Sequence, residues 1–160
     1  DLHLSLRRQR QMCIRDSFYG GNMGNLIVVH GGTIPFICHI FLIFFGGFMS
    51  LSMIFNPNFV KGMGFESVEA RFLGRGLGFS VLAITLVFIA TLFQWGRFTS
   101  FFEVYAVLFL FTLFGFLNQL LMYLKVLKTH NDQPVPMANV IRPLIPLIVI
   151  IIRRLTSANF

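Results

Sequence analysis

Five polar residues lie in or beside long apolar segments and are the strongest candidates for chemistry. Arg71 and Arg75 are four residues apart, so on a helix they share one face. Asn118 and Gln119 lie near the end of the next apolar segment, and Arg142 lies near the start of the last one. If neighbouring helices are antiparallel, all five side chains lie towards the same end. An arginine inside a membrane costs about 2.5–3.5 kcal/mol, so such residues face partners, water or a site.

Two interpretations of these residues stay open. In the first, they line a pocket for an anion, a lipid head group or the polar end of a quinone; the candidate ligand-binding residues are Arg71, Arg75, Asn118, Gln119 and Arg142. In the second, the paired arginines extend to the lipid head groups and Asn118 makes one interhelical hydrogen bond. The second interpretation leaves no ligand site in the protein.

The histidine and acidic residues are weaker candidates for a chemical role. His39 lies early in the first apolar segment, and a haem held by two histidines needs a second one facing it. A hydrogen-bonded helix histidine is therefore the better interpretation. Glu103 opens the third segment, where a helix N-terminus stabilises a carboxylate, although a proton-coupled role stays open. We find no metalloprotease motif, nucleophile elbow or cysteine pair, and we predict no catalytic residue, cofactor or metal.

Gly74 and Gly78 form a pair of small residues one helical turn apart. Such pairs let two helix backbones approach closely. The pair predicts helix packing, either inside one chain or between two copies.

The composition indicates a membrane protein. Hydrophobic residues make up 56% of the chain and charged residues 12%, with 21 phenylalanines, whereas soluble domains contain about 25% charged residues. This small number of charged residues cannot cover a surface exposed to water. We therefore expect the protein to be surrounded by a lipid bilayer. The net charge is +7, and outside residues 1–17 the basic residues lie at the ends of apolar segments. That placement sets membrane topology and argues against a nucleic-acid partner.

These segments predict an all-α integral membrane protein, a four-helix up-down bundle with spans at about 34–55, 68–94, 101–124 and 137–153. The apolar run 143–152 is too short to cross alone, so the fourth span must begin before Arg142. When residues 1–17 are left out, six basic residues lie on the side of the first and third loops and three on the other side, which places the first and third loops in the cytoplasm. The four arginines of residues 1–17 would reverse this count.

The ends of the chain differ from its body. Residues 1–17 contain four arginines, and residues 6–17 resemble the translation of a sequencing-library adapter. We therefore expect 1–17 to be non-native and Met23 to be the true start. Residues 18–33 are rich in glycine and predict a flexible lead-in with a short interfacial turn. The single transmembrane domain should cover 34–154, and a tail 155–160.

Two short stretches carry a family resemblance. The end of the first span reads Phe55-Asn56-Pro57, and the second span begins with the run 70–78, ARFLGRGLG. From about residue 34 to 154 the chain resembles small four-helix bacterial membrane families of the DoxX-like and uncharacterised kinds. The resemblance implies a four-helix architecture in a bacterial inner membrane and implies little about activity. The fourth helix here is shorter and richer in proline than that pattern.

Two functions follow as expectations. The first is a structural or accessory role in the bilayer, with a membrane partner protein or a second copy of the chain bound through Gly74 and Gly78. The second is a small carrier or binder of an anionic or lipid-like ligand at the arginine- and asparagine-lined pocket. Neither expectation includes enzyme activity.

Overall fold

The computed structural model describes residues 23–63, 67–95, 101–127 and 135–157. Every regular element in these ranges is a helix, which confirms the all-α prediction. The helices are α1 (Met23–Val29), α2 (Thr33–Phe55), α3 (Pro57–Lys61), α4 (Val68–Leu92), α5 (Phe101–Tyr123) and α6 (Met137–Thr156). The four long ones, α2, α4, α5 and α6, coincide with the four predicted segments. The adapter-like residues 1–17 lie outside the described residues.

The predicted lead-in is more regular than expected. Helix α1 occupies the middle of residues 18–33, and the turn after it contains Gly31 and Gly32 with φ angles of 83° and 128°. Residues with a side chain rarely adopt such φ angles, whereas glycine does so readily. The glycines therefore make a sharp turn that joins α1 to α2.

Helix α6 continues through Pro143 and Pro146, although each proline removes a backbone donor and crowds the preceding turn. Pro146 is buried. Pro143 lies against α5 at Gly115, where an added Cβ would lie 3.6 Å from the proline Cβ. That distance is an ordinary van der Waals contact, so the proline-containing part of α6 packs directly on α5 at Gly115.

The four long helices alternate in direction. His39, near the start of α2, is hydrogen-bonded to Phe88 near the end of α4 and to Tyr105 near the start of α5. Arg153, near the end of α6, lies over the Tyr105 ring. Helix α2 packs against α4 and α6, and α5 packs against α6. Each long helix contributes one residue to the central apolar cluster, which comprises Leu42, Phe88, Tyr105 and Ile150.

Three helices are long and apolar enough to cross a membrane: Thr33–Phe55, Ala70–Leu92 and Phe101–Tyr123. Large apolar side chains cover their outer faces, and Phe44, Phe55 and Phe72 are 73%, 76% and 77% exposed. A surface of this kind is stable in lipid and not in water. These helices are compatible with a multi-pass membrane protein. Helix α6 is not among the three, and it carries Arg142, Arg153 and Arg154.

Candidate functional site

The turn between α2 and α4 is shaped by Asn56 and Pro57. The Asn56 side-chain oxygen accepts hydrogen bonds from the backbone N–H groups of Asn58 (3.0 Å) and Phe59 (3.2 Å). Pro57 occupies the first turn of α3, where its missing N–H has no helical partner to lose. This cap fixes α3 across the end of the bundle. Helix α3 thereby brings Phe59 and Lys61 towards the start of α6.

Arg142 on α6 is held by neutral neighbours at this end. Its Nη1 donates to the Asn139 side-chain oxygen at 2.9 Å, and the Asn139 amide donates to the Met63 carbonyl at 3.4 Å. The guanidinium carbon lies 5.1 Å from the centre of the Phe59 ring, within the range of a cation–π interaction. A guanidinium has five N–H donors, so this arrangement orients Arg142 and leaves donors for a ligand.

A cavity of about 850 Å³ lies between α4 and α5 and extends to α2 and α6. Its volume falls within the range of about 300–1,000 Å³ found for small-molecule sites. The wall is mainly apolar and includes Phe45, Met49, Met53, Leu77, Val81, Ile84, Phe111 and Phe114. The cavity exists because α4 and α5 make little contact with each other.

The cavity is elongated along the helices. On α5 it is lined from Leu108 to Met122, about 21 Å at the helical rise. Leu42 and Phe88 line the end of the cavity near Leu108, and both belong to the central apolar cluster. That inner end is therefore closed and apolar.

The opposite end of the cavity is polar and positively charged. Its polar lining residues are Lys61, Asn118, Gln119, Asn139 and Arg142. Two of these are cations, and none of the described lining residues is acidic. The cavity thus has the polarity of an amphipathic molecule, with an apolar body and one polar end.

The structure brings together three of the five residues that the sequence singled out. Asn118, Gln119 and Arg142 line the same cavity. Arg71 and Arg75 instead line a separate pocket of about 190 Å³, with Val68 and Phe72 of α4 and with α3 residues. The position of a residue along a helix predicts its depth in the membrane. It does not predict how the helix is rotated about its axis, and so it does not predict which neighbour the residue faces. The rotation of α4 turns both arginines away from the cavity.

Gly74 and Gly78 are both buried inside the chain. A Cβ at Gly78 would lie 3.0 Å from Met53 Cβ and 3.0 Å from Ile54 Cγ1, both on α2. At Gly78 the missing side chain therefore lets α4 approach α2 of the same chain.

A buried polar cluster that the sequence analysis did not assemble lies beyond the inner end of the cavity. His39 is fully buried. Its Nε2–H donates to the Phe88 carbonyl at 2.9 Å, so in the neutral ring Nδ1 is the acceptor and the Tyr105 hydroxyl donates to it at 2.5 Å. The Arg153 guanidinium lies 3.8 Å from the centre of the Tyr105 ring. We call His39, Tyr105 and Arg153, together with His30, the histidine cluster.

The sequence did contain a signal for this cluster. His39 was recognised as a hydrogen-bonded helix histidine, which the structure confirms. Tyr105 lies in the first turns of α5, and Arg153 lies in the last turn of α6. In an alternating bundle these two positions share a level with His39. Comparing the depths of the polar residues at both ends of the bundle therefore predicts that His39, Tyr105 and Arg153 lie together.

His30 lies in the turn after α1 and is also buried. Its Nδ1–H donates to the Leu26 carbonyl at 2.8 Å. Burial lowers the pKa of His30 and Arg153 acts in the same direction, whereas the Leu26 hydrogen bond opposes them. The ring is therefore neutral near pH 7, and within the described chain its Nε2 has no hydrogen-bond partner.

The two histidines do not form a haem site. Their ring centres are 4.8 Å apart in an edge-to-face contact, which leaves no space for a porphyrin between them. In the described ranges no group of three or more histidine, cysteine or acidic residues is arranged to hold a metal ion. The cluster instead joins the four long helices at one end.

Phe88 connects the histidine cluster to the cavity. Its carbonyl accepts the His39 hydrogen bond, and its ring stacks on His39 with 5.2 Å between ring centres. Phe88 also lines the cavity. The histidine cluster therefore supports the closed inner end.

Comparison of this chain with protein-family models, curated proteins and solved structures gave no match. The chemistry of the cavity is therefore the basis for assigning a function.

Proposed function

We propose that this protein binds a lipid-like amphipathic molecule within the bilayer, as a small membrane binder or carrier. The observation that carries the proposal is the elongated cavity, which is mainly apolar along its length and polar at one end. Thr85 and Thr112 also line the apolar part, and their hydroxyl groups donate to backbone carbonyls of their own helices. The apolar tail of the ligand lies in the cavity and contacts the apolar wall in place of membrane lipid. The head group contacts Lys61, Asn118, Gln119 and Arg142. A single concave site with a few convergent polar groups is typical of small-molecule binding.

A structural or accessory role through the glycine pair has less support. Gly78 is used by contacts with Met53 and Ile54 of the same chain, and Gly74 is buried beside it in sequence. A second copy bound through this pair would first have to separate α4 from α2.

We further propose that α6 crosses the membrane with the other three long helices. Arg142 near its start lies beside α3, and Arg153 near its end lies beside the first turns of α5. Helix α6 has 20 residues, about 30 Å at the helical rise, which is about the thickness of the hydrocarbon core. Arg153 is buried against the Tyr105 ring, so its charge is not exposed to the lipid chains. This arrangement is the four-span topology expected from the sequence.

Cysteine labelling in intact cells tests the fourth span. With Cys13 and Cys38 replaced by serine, single cysteines are introduced at Asn58, Trp95 and Thr156. Thr156 should label like Trp95 and unlike Asn58, because α5 and α6 together return the chain to the Trp95 side. If Thr156 labels like Asn58, α6 does not cross.

Filling the cavity tests the binding function. Gly115 lines the cavity, and an added Cβ there meets Pro143 at an ordinary contact distance of 3.6 Å. Gly115→Phe therefore introduces a ring into the cavity beside Pro143. We expect the affinity for monopalmitoylglycerol and palmitic acid to fall about tenfold or more, which corresponds to roughly 1.4 kcal/mol. Native mass spectrometry of the detergent-solubilised protein with each lipid measures the bound fraction.

Two further variants make the result specific. Val81→Phe fills the cavity from the α4 wall and should have the same effect. Gly47→Phe adds the same ring to α2 where a Cβ meets nothing within 4 Å, and it should bind like the unmodified protein. If both filling variants bind the lipids as well as Gly47→Phe does, the cavity is not the binding site.

A further inference from the structure

We infer that the ligand carries an anionic head group, a carboxylate or a phosphate, which binds between Lys61 and Arg142. This inference rests on the proposed lipid-binding function and names the class of ligand. In this arrangement the tail runs inward along α5 towards Leu42 and Phe88. The head group remains at the end of the bundle where α3 crosses it.

The charges at the polar end are the first argument. Lys61 and Arg142 both line the cavity, and no acidic residue is present among its described lining residues. The described contacts of Arg142 are with Asn139 and Phe59, which are neutral. A cation beside an apolar cavity is stabilised strongly by a nearby anion because the local dielectric constant is low. A neutral head group adds no opposite charge to the two cations of the described lining.

The geometry of Arg142 is the second argument. Its hydrogen bond to Asn139 and its contact with the Phe59 ring hold the guanidinium in one orientation. A guanidinium that is held in place presents paired N–H donors that match the two oxygens of a carboxylate or phosphate. Lys61 is exposed at the end of α3, so its flexible chain can approach the same oxygens from the other side.

Asn118 and Gln119 complete the recognition without setting the charge. Both line the cavity, and neither makes a side-chain hydrogen bond within the described part of the chain. Their amide groups can donate to an anion or bind a hydroxyl. Discrimination between charged and neutral head groups therefore depends on Lys61 and Arg142.

The test compares lipids that share a palmitoyl chain and differ in the head group. Palmitic acid and palmitoyl lysophosphatidic acid are anionic at mildly alkaline pH, and monopalmitoylglycerol is neutral. We expect both anionic lipids to bind the detergent-solubilised protein about tenfold more tightly than the neutral one, as measured by native mass spectrometry. The tighter of the two identifies the head group as a carboxylate or a phosphate.

Matched charge variants locate the effect. Arg142→Gln and Lys61→Gln should each weaken the binding of the two anionic lipids more than the binding of monopalmitoylglycerol, and so remove most of the preference. Arg75→Gln removes the same charge outside the cavity and should keep the preference. Arg142→Lys keeps the charge but loses the paired donors, so an intermediate preference is expected. A melting temperature within a few degrees of that of the unmodified protein shows that each variant is folded.

The outcomes separate this inference from the proposed function. Equal binding of anionic and neutral lipids overturns the anionic head group but leaves a lipid-binding cavity. An equal loss in Arg75→Gln and Arg142→Gln overturns it as well, because the preference then comes from net charge. Absence of binding for all three lipids overturns both proposals.

Discussion

Replacing His39 with alanine should lower the free energy of unfolding by about 3 kcal/mol, which is the lower end of the range for truncating a large buried ring and a large effect for a single substitution. The substitution removes the hydrogen bonds to Phe88 and Tyr105 and leaves an empty space beneath the inner end of the cavity. Interhelical hydrogen bonds in membranes contribute only about 0.6–1.7 kcal/mol each. The lost packing of the ring therefore supplies much of the effect.

Titration with sodium dodecyl sulphate of the protein in dodecylmaltoside micelles, followed by circular dichroism, measures this change. Phe44→Ala is the matched control, because it truncates a ring on the same helix that is 73% exposed. The control should change the unfolding free energy by about 0.5 kcal/mol or less. If both variants are equally stable, the histidine cluster does not hold the helices together.

The long helices were predictable because a membrane imposes few solutions. Apolar runs of 20 residues or more must form helices there, and Asn56-Pro57 marks the end of the first one. The structure places this end at Phe55, as predicted. The turn at Gly31 and Gly32 was not predicted, because glycine allows both a flexible chain and a fixed turn with positive φ.

The candidate site was predicted less completely, for a geometric reason. Asn118, Gln119 and Arg142 share the cavity as the depth argument requires, but Arg71 and Arg75 do not. In a segment as uniformly apolar as α4, neither face is marked as the inner one. The rotation of α4 is instead set by its packing on α2, where Gly78 lies against Met53 and Thr85 lies against Gly46.

The two ends of the helical domain differ in how closely the long helices pack, and they therefore have different roles. At one end His39, Tyr105 and Arg153 join the four long helices through side-chain contacts. At the other end α4 and α5 separate, and Asn118 and Arg142 face the space between them.

Helices α4 and α2 approach closely at Gly78, and Gly78→Ile should destabilise the protein by about 3 kcal/mol, the upper range for overpacking. A Cβ at this position already lies 3.0 Å from two α2 side-chain atoms and 3.3 Å from the Ser50 carbonyl oxygen. The branched side chain must therefore push α4 away from α2. The same detergent titration measures the loss.

Gly76→Ile is the control, because a Cβ at Gly76 meets nothing within 4 Å and the change in helix propensity is the same. The difference between the two variants thus isolates the helix contact. Equal stability of the two would contradict the packing of Gly78 on α2. A loss of dimer, measured by light scattering, without a loss of monomer stability would instead favour pairing between two copies.

Because the contact between α2 and α4 also sets the rotation of α4, Gly78→Ile should weaken lipid binding as well, whereas Gly76→Ile should not.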